Sequence, residues 1–568
     1  MSQVQPQAYA WRRYLLLGAF ALAAIFLGWR ALNIQVLDND FLQNQGEARH
    51  LRAIPITAHR GVITDRNDEV LALSTPVVSI WMNPGDVDFS QPGYKSLAKI
   101  VGMPVSAMQR LAKKKSDKSF VYLKRHIDPQ LTAGLSELGL AGIGSQREYR
   151  RYYPGGEVNS HIVGFTNIDD AGIEGIELLY DDVLQGVPGT QQVIKDRLGR
   201  VIDSLGVERA AVPGSELRLS IDKRLQYIAY RELKAAYVKH GAKSASLVVL
   251  NAHTGEILAL ANQPSFNPND ASQRQSELYR NRAATDVFEP GSTIKPFIMA
   301  AALKSEDFDL NKVVATAPGY MRVGNKTVRD VRNFGDLRAA DIIKKSSNVG
   351  IAKIALELPR EQVWETLSDV GFGEVTGSRI PGEASGHLPF FSNWNKVERA
   401  TLAYGYGVSV TPVQLAQAYA TLANGGYWQS LSFLKGGDKA NRRQVITEAS
   451  AIKVLSMMEQ VTNDGGTGQK AAVDGYRIAG KTGTAKKLMN GSYDGKYYTA
   501  SFAGVAPASR PELVAVVMID EPSNGVYYGG QVAAPVFSKV MSAALRLQNI
   551  PPDEKGPPIR LAEVVQHE

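Results

Sequence analysis

Pro290-Gly291-Ser292-Thr293-Ile294-Lys295-Pro296-Phe297-Ile298-Met299-Ala300-Ala301-Ala302-Leu303 is the stretch on which the reading of this chain turns. From Phe297 to Leu303 every residue is apolar, which reads as a buried helix. Ser292 falls at its first turn, near free backbone N–H groups and the positive end of the helix dipole. Lys295, three residues on, lies on the same face. A serine hydroxyl beside a lysine is a nucleophile with a candidate base. A plainer reading makes Ser292 an N-cap. It leaves two other motifs without a purpose, Ser346-Ser347-Asn348 and Lys481-Thr482-Gly483-Thr484. Together the three supply a serine nucleophile, basic groups to deprotonate it, an amide to hold a substrate and a cationic strand to hold a carboxylate.

The serine–lysine spacing alone carries little. S-x-x-K occurs five times, at Ser96, Ser220, Ser292, Ser432 and Ser450. S-x-N occurs twice, at Ser265 and Ser346, and K-[ST]-G once. Only the Ser292 copy has Pro290-Gly291 before it, Glu289 just upstream and an apolar helix after it.

The chain has 568 residues, 44% of them hydrophobic, enough for two folded domains. It has no cysteine, which excludes disulfides, thiolate catalysis and thiolate metal sites. The eight histidines are scattered with no H-E-x-x-H, so no metal site is expected. A net charge of +8 reads as a solvated basic surface, and no nucleic-acid motif accompanies it. Residues 14–29 are uncharged and almost wholly apolar, and Trp11-Arg12-Arg13 precede them. With Ala31-Leu32 continuing past Arg30, residues 14–32 read as a transmembrane anchor. A cleaved signal peptide is the competing reading, but Ala21-Leu22-Ala23 lies inside the apolar run rather than after it. Arg12 and Arg13 assign residues 1–13 to a cytoplasmic tail and everything beyond the anchor to the far side.

The exported part is expected to divide near Pro213-Gly214. Residues 33–215 are mixed and polar. Residues 217–222, 246–251, 256–261, 476–479 and 513–519 read as strands, with His253-Thr254-Gly255 as a hairpin turn and Lys481 just after the fourth. The stretch from Ser292 to about Val461 is richer in helical periodicity. The expected class is α+β, an antiparallel sheet with helices packed on it, over 216–548. Residues 549–568, rich in proline and charge, read as a disordered tail.

At this point the residues resemble a family, the class B penicillin-binding proteins, and within it the division-specific branch of Gram-negative bacteria. The resemblance runs from the anchor to about residue 548. Beyond the three motifs it rests on residues 59–67 (HRGVITDRN), 151–156 (RYYPGG), 172–177 (GIEGIE), 403–407 (AYGYG) and 502–507 (FAGVAP). It implies a non-catalytic pedestal at 33–215 and a penicillin-binding transpeptidase domain at 216–548. A plain reading of the pedestal motifs pairs Arg60 with Asp65 and gives the glycines to turns.

The resemblance further implies peptidoglycan D,D-transpeptidation, inhibited by β-lactams and without a cofactor. Ser292 would attack the carbonyl between the last two D-alanines of a stem peptide, with Lys295 as base. Ser346 would pass the proton to the leaving amine, and Asn348 would orient Lys295. Lys481 would draw in the terminal carboxylate, and Thr482, Gly483 and Thr484 would bind it and the carbonyl. Tyr406, Gly407, Tyr498, Tyr527 and Tyr528 resemble a cleft lining, although tyrosines in such numbers also serve as packing. Implied partners are stem peptides, β-lactams, the cell membrane, a glycosyltransferase and other division proteins; the inner membrane is the implied location. Lys481-Thr482 stands where close division enzymes often carry Lys-Ser, which points toward a paralogue with elongation or condition-specific duty. A β-lactam hydrolase would need a water-activating glutamate in an E-x-x-L-N loop after the S-x-N motif. The nearest string, Asp307 to Asn311, has the wrong acid on the wrong side of Ser346. An idle scaffold is the remaining alternative.

Overall fold

A computed structural model describes residues 10–37, 51–195, 201–305, 308–437, 441–488, 491–493 and 495–554. A single helix, Ala10–Leu32, carries the apolar N-terminal run, and its side chains are exposed from Trp11 to Leu32. At 1.5 Å per residue it is about 35 Å long, enough to cross a bilayer core. The helix begins four residues before the expected anchor, because Ala10 to Arg13 contains no breaker. The rest of the expected cytoplasmic tail, residues 1–9, lies outside the described residues.

The folded part forms two compact units. The first takes residues up to 59, then 76–150 and 186–213. It holds an antiparallel three-stranded sheet of Leu51–Ile56, Gly189–Lys195 and Val201–Arg209. It also holds a small core in which Ile80, Met82, Tyr94, Leu97 and Met108 pack together. The second takes 60–75, 151–185 and everything from 214 onward. The border at 213–214 is where the proline–glycine pair stands. The motif segments around Arg60, Arg151 and Glu177, however, group with the second unit. Buried charges explain this: Glu177 accepts from Arg60 Nε at 2.6 Å and from Arg151 Nε at 2.6 Å, and Asp181 takes Arg60 Nη1 at 2.6 Å. Arg60 thus takes Glu177 and Asp181 as ion-pair partners. Asp65 instead accepts from the backbone N–H groups of Asn67, Glu69 and Lys223.

The second unit is built on five antiparallel strands: β1 Ser244–Asn251, β2 Ile257–Gln263, β3 Ala479–Lys486, β4 Tyr498–Ala506 and β5 Leu513–Asp520. Their order is β2-β1-β5-β4-β3. Side chains alternate between two faces. Leu247, Val249, Ala515 and Val517 join the core of helices Lys223–His240 and Ala534–Leu547. Val248, Leu250, Val514 and Val516 join that of helix Pro412–Ala423. With both faces covered, β5 reads as an unbroken apolar run.

Three expectations shift. The strand expected at 217–222 is only Leu217–Arg218, because Asp222 turns to cap helix Lys223–His240, accepting from Arg224 N at 3.0 Å. The strand expected at 476–479 starts only at Ala479 and runs through Lys481, since Asp474 and Gly475 form a turn that Tyr476 closes by bridging back to Val473. The tail is ordered to 554: Tyr476 OH donates to Ile550 O at 2.6 Å, and Asp553 accepts from Arg477 N at 2.7 Å and Ser509 Oγ at 2.6 Å. Residues 555–568 lie outside the described residues.

Candidate active site

Gly291–Ile294 forms one tight 3₁₀ turn that feeds directly into helix α1, Lys295–Ala302. Thr293 Oγ1 donates to Pro290 O at 2.7 Å, and Tyr419 OH donates to Thr293 O at 2.9 Å, so the turn is pinned from both sides. Ser292 is half-buried and caps nothing: neither the turn nor α1 has a side-chain cap. Among the described residues its hydroxyl makes no hydrogen bond. Ser292 is thus held by its backbone, with its Oγ left unbonded among the described residues.

Lys295 is fully buried, as is every residue of α1. Its Nζ donates to Ser346 O at 2.6 Å, Asn348 Oδ1 at 2.8 Å and Ser346 Oγ at 3.2 Å. Ser346 ends helix α2, Ala339–Lys345, in a left-handed conformation with φ 59°. That conformation costs a non-glycine residue about 1–2 kcal/mol. With it in place, both oxygens of Ser346 meet Lys295. Lys481, also fully buried, donates from Nζ to the same Ser346 Oγ at 2.9 Å and to Thr482 O at 3.2 Å. One hydroxyl thus joins two buried lysines.

Two buried ammonium groups this close oppose each other. Lys295 is held well below the usual lysine range, first by burial and then by the charge of Lys481, with Asp330 pulling the other way. Burial brings Lys481 down to about 7. Asp330 is the counter-charge that sequence reading missed. It accepts from Asn348 N at 2.5 Å, Val349 N at 3.0 Å and Ser347 Oγ at 2.6 Å, at the start of helix α3, Asn348–Glu357. No short-range spacing announces it. The signal available was the need of α3 for an anion at its N-terminus.

Strand β3 is an edge strand. Lys487 N bonds Tyr497 O on the β4 side at 2.9 Å, whereas Lys486 N–H donates to Tyr406 OH at 3.0 Å. Backbone groups alternate, so the N–H of Thr484, two residues back from Lys486, faces the same open edge. The Ser292 turn packs there. A Cβ on Gly483 would lie 2.2 Å from Ser501 Oγ and 3.0 Å from Pro290 O, so only glycine allows the approach. Gly405 is constrained likewise, since a Cβ there would lie 2.1 Å from Gly291 O. The Thr482 and Thr467 hydroxyls bond at 2.9 Å, and Thr484 Oγ1 accepts from Gly529 N at 3.0 Å. Thr467 was not foreseen.

The remaining candidates separate. Gly407 N donates to Glu289 Oε1 at 2.8 Å, and Tyr406 packs edge-on to Tyr493 at 5.2 Å. Tyr498 and Tyr527 stack at 4.1 Å, and Tyr528 lies 4.6 Å from Tyr527 and is 48% exposed. These three are a surface stack, not core packing. Among the described residues no cluster of histidine, aspartate and glutamate could hold a metal.

Two buried lysines, both held below the usual lysine range and joined through one serine hydroxyl, make a site suited to proton transfer. A family model for the penicillin-binding protein transpeptidase domain matches residues 245–542, and one for the penicillin-binding protein dimerisation domain matches 55–219. "Peptidoglycan D,D-transpeptidase FtsI" of Escherichia coli (strain K12) is 42% identical over 96% of this chain and 93% of its own. "Probable peptidoglycan D,D-transpeptidase PbpC" of Pseudomonas aeruginosa is 40% identical over 97% of each. The apo TP domain of penicillin-binding protein 3 from Burkholderia pseudomallei is 40% identical with a TM-score of 0.55, covering 59% of this chain and 98% of that one. The chain belongs to the penicillin-binding protein transpeptidases.

Proposed function

We propose that the chain cross-links peptidoglycan through an acyl-enzyme on Ser292. Neutral Lys295 takes the hydroxyl proton as Ser292 Oγ bonds to the carbonyl carbon between the last two D-alanines of a stem peptide. The N–H groups of Ser292 and Thr484 hold the developing oxyanion, each worth about 3 kcal/mol. The proton moves through Ser346 Oγ to the leaving amine, the C–N bond breaks and D-Ala departs. An amine of a neighbouring stem peptide, diaminopimelate in this reading, attacks the ester in turn. Its proton goes back toward Lys295, and Ser292 is freed. Asn348 orients Lys295. Lys481 with the Thr482 and Thr484 hydroxyls takes the terminal carboxylate. Tyr406, Gly407 and the stack of Tyr498, Tyr527 and Tyr528 flank the substrate. Residues 33–215 act as a pedestal for the transpeptidase domain at 216–548.

The observation that carries this is the one hydroxyl, Ser346 Oγ, shared between Lys295 and Lys481. Such a bridge moves a proton between two sites without exposing either to water. A fluorescent penicillin should label the protein once, and peptide mapping should place the adduct on Ser292. Label retained in Ser292→Ala refutes the assignment.

The anchor helix seats the protein in the inner membrane, with the catalytic unit in the periplasm by the positive-inside pattern of Arg12 and Arg13. Septal synthesis beside a glycosyltransferase and other division proteins is the favoured duty. The relatives named FtsI and PbpC match almost equally, and the Lys481-Thr482 pair keeps a paralogue's duty as the second reading. Depletion in the native host separates them: filaments mean division, round cells elongation, and unchanged cells a redundant paralogue.

A further inference from the structure

Strand β3 carries Lys481, Thr482 and Thr484, yet it is paired on one side only, by β4. An edge strand lacks the second ladder that fixes a central strand, so whatever holds its ends decides how firmly it sits. Residues 475–478 lead into β3, and they are held from beyond helix Ala534–Leu547.

That helix ends at Gln548, and the chain reverses at Asn549, whose φ of 53° is left-handed. Asparagine accepts this conformation more readily than most residues. Ile550 N–H closes the reversal on Leu545 O at 2.9 Å, and the Ile550 side chain packs against the same core as Tyr476. Pro551 and Pro552 follow, each with φ fixed by its ring, so the segment is stiff. It lies along the entry of β3. Tyr476 OH donates to Ile550 O at 2.6 Å, Arg477 N–H to Asp553 Oδ1 at 2.7 Å, and Glu554 N–H to Gly475 O at 3.1 Å. The other oxygen of Asp553 reaches the exit of β4: Oδ2 accepts from Ser509 Oγ at 2.6 Å and from Ser509 N at 3.2 Å. One carboxylate therefore joins the two ends of the hairpin, outside the ladder that begins at Ala479 and Val505. A cavity of about 590 Å³, lined in part by Asn463, Asp474, Arg477 and Asp553, lies alongside. With open space at its side, Asp553 is held by these bonds rather than by packing.

Lys481 stands four residues beyond Arg477. From there on the tolerance is small. Lys481 Nζ meets Ser346 Oγ at 2.9 Å, and a Cβ on Gly483 would lie 3.0 Å from Pro290 O in the serine turn. A shift of β3 changes both contacts.

We propose that residues 549–554 form a clasp that sets β3 against the Ser292 turn, with Asp553 as its positioning residue. The role rests on the acyl transfer proposed for Ser292. Asp553 touches no reacting atom; it acts through Arg477 and Ser509. A ligand paired with β3 moves with that strand, so a loosened clasp leaves binding nearly unchanged. The nucleophile belongs to another element, so its approach to a carbonyl held by β3 suffers. The loss falls on bond formation. A contact that only stabilised the fold would lower the melting temperature and leave both steps alone.

The test measures penicillin acylation of the full-length protein in detergent, well below its melting temperature. A range of penicillin concentrations separates the first-order rate of bond formation from the dissociation constant of the complex that precedes it. Misplacement by about 1 Å can cost about 100-fold, so Asp553→Ala, which loosens the strand without removing a reacting group, should slow bond formation about tenfold. The dissociation constant should change less than about twofold. Asp553→Asn keeps an oxygen for the Arg477 N–H and should recover most of the rate. A chain ended at Gln548 should lose at least as much as Asp553→Ala; if it does not fold, the two point variants at this half-buried side chain still decide. Bond formation at the wild-type rate in Asp553→Ala overturns the proposal. So does a loss confined to binding, or one that asparagine does not relieve. Absence of acylation at Ser292 in the wild-type protein is a different result and strikes the acyl-transfer reading itself.

Discussion

Replacing Asp330 with asparagine tests how the two lysines are poised. Asp330 favours the charged form of Lys295, while burial and Lys481 oppose it. The group is a base, and its folded pKa is depressed. Removing the nearby anion depresses it further, so a larger fraction of Lys295 is neutral at any given pH. The acylation rate, which rises with pH as the lysine deprotonates, should therefore reach half its plateau at a lower pH. One opposite charge at this range moves a pKa by about 1 unit or more, equivalent to roughly 1.4 kcal/mol. Because Lys295 and Lys481 share Ser346 Oγ, the midpoint belongs to the pair. The same change has a structural effect. Asparagine keeps one oxygen for the N–H groups of Asn348 and Val349, but it presents an amide to Ser347 Oγ. Ser347 Oγ already accepts from Gly350 N at 2.9 Å, so its own proton loses a partner. With the weaker helix-end interaction, the loss is about 1–2 kcal/mol of stability. Acylation rates from pH ~5.5 to 9 and a urea titration measure the two effects separately. A midpoint that stays put or moves up refutes the electrostatic account.

Three further outcomes are expected. Lys295→Arg, which cannot give up its proton, should lower acylation roughly 100-fold or more with its pH limb abolished, and near wild-type rates would remove Lys295 as base. Gly483→Ala pushes a methyl group against Ser501 Oγ and Pro290 O, so stability should fall by about 1–3 kcal/mol and acylation by about 100-fold; an unchanged rate would show that strand and serine turn need not touch. Glu177→Gln leaves Arg60 and Arg151 buried without their shared carboxylate and should cost about 3–5 kcal/mol in denaturant titration; a loss below ~1 kcal/mol would mean that the cluster is solvated.

Where local pattern and tertiary demand agree, the sequence was readable. The run after Ser292 is apolar because α1 is buried on all sides, and β5 is apolar because both its faces are covered. The three motifs could be grouped because each supplies a different chemical part of one reaction. Long-range charge pairing was not readable. Asp330, which directly follows the short strand Lys326–Arg329, caps α3, and Asp553 ties down a segment whose composition reads as disorder. Arg60 had a plausible partner five residues away and takes others more than a hundred residues on. Lys481 looked as if it came after a strand because Lys-Thr-Gly-Thr has weak strand propensity. The glycine there answers to Pro290 in the serine turn and to Ser501, its cross-strand partner on β4.

The open edge of β3 also shapes how this protein can change. An exposed strand edge is normally a hazard that proteins cover or charge. Here it is kept open along one side, with the Lys486 N–H bonded to Tyr406 OH. Its donors and acceptors are main-chain atoms, which no substitution short of proline can delete. A molecule that docks by adding itself as a strand therefore meets a surface identical in chemistry whatever the side chains become. Escape from such a molecule has to come from the flanks: from Tyr406, from the tyrosine stack, or from shifts that move the strand against the serine turn. Gly483 and Gly405 leave almost no room for the last of these. Adaptation in this fold is thus channelled toward the rim of the cleft and away from its floor.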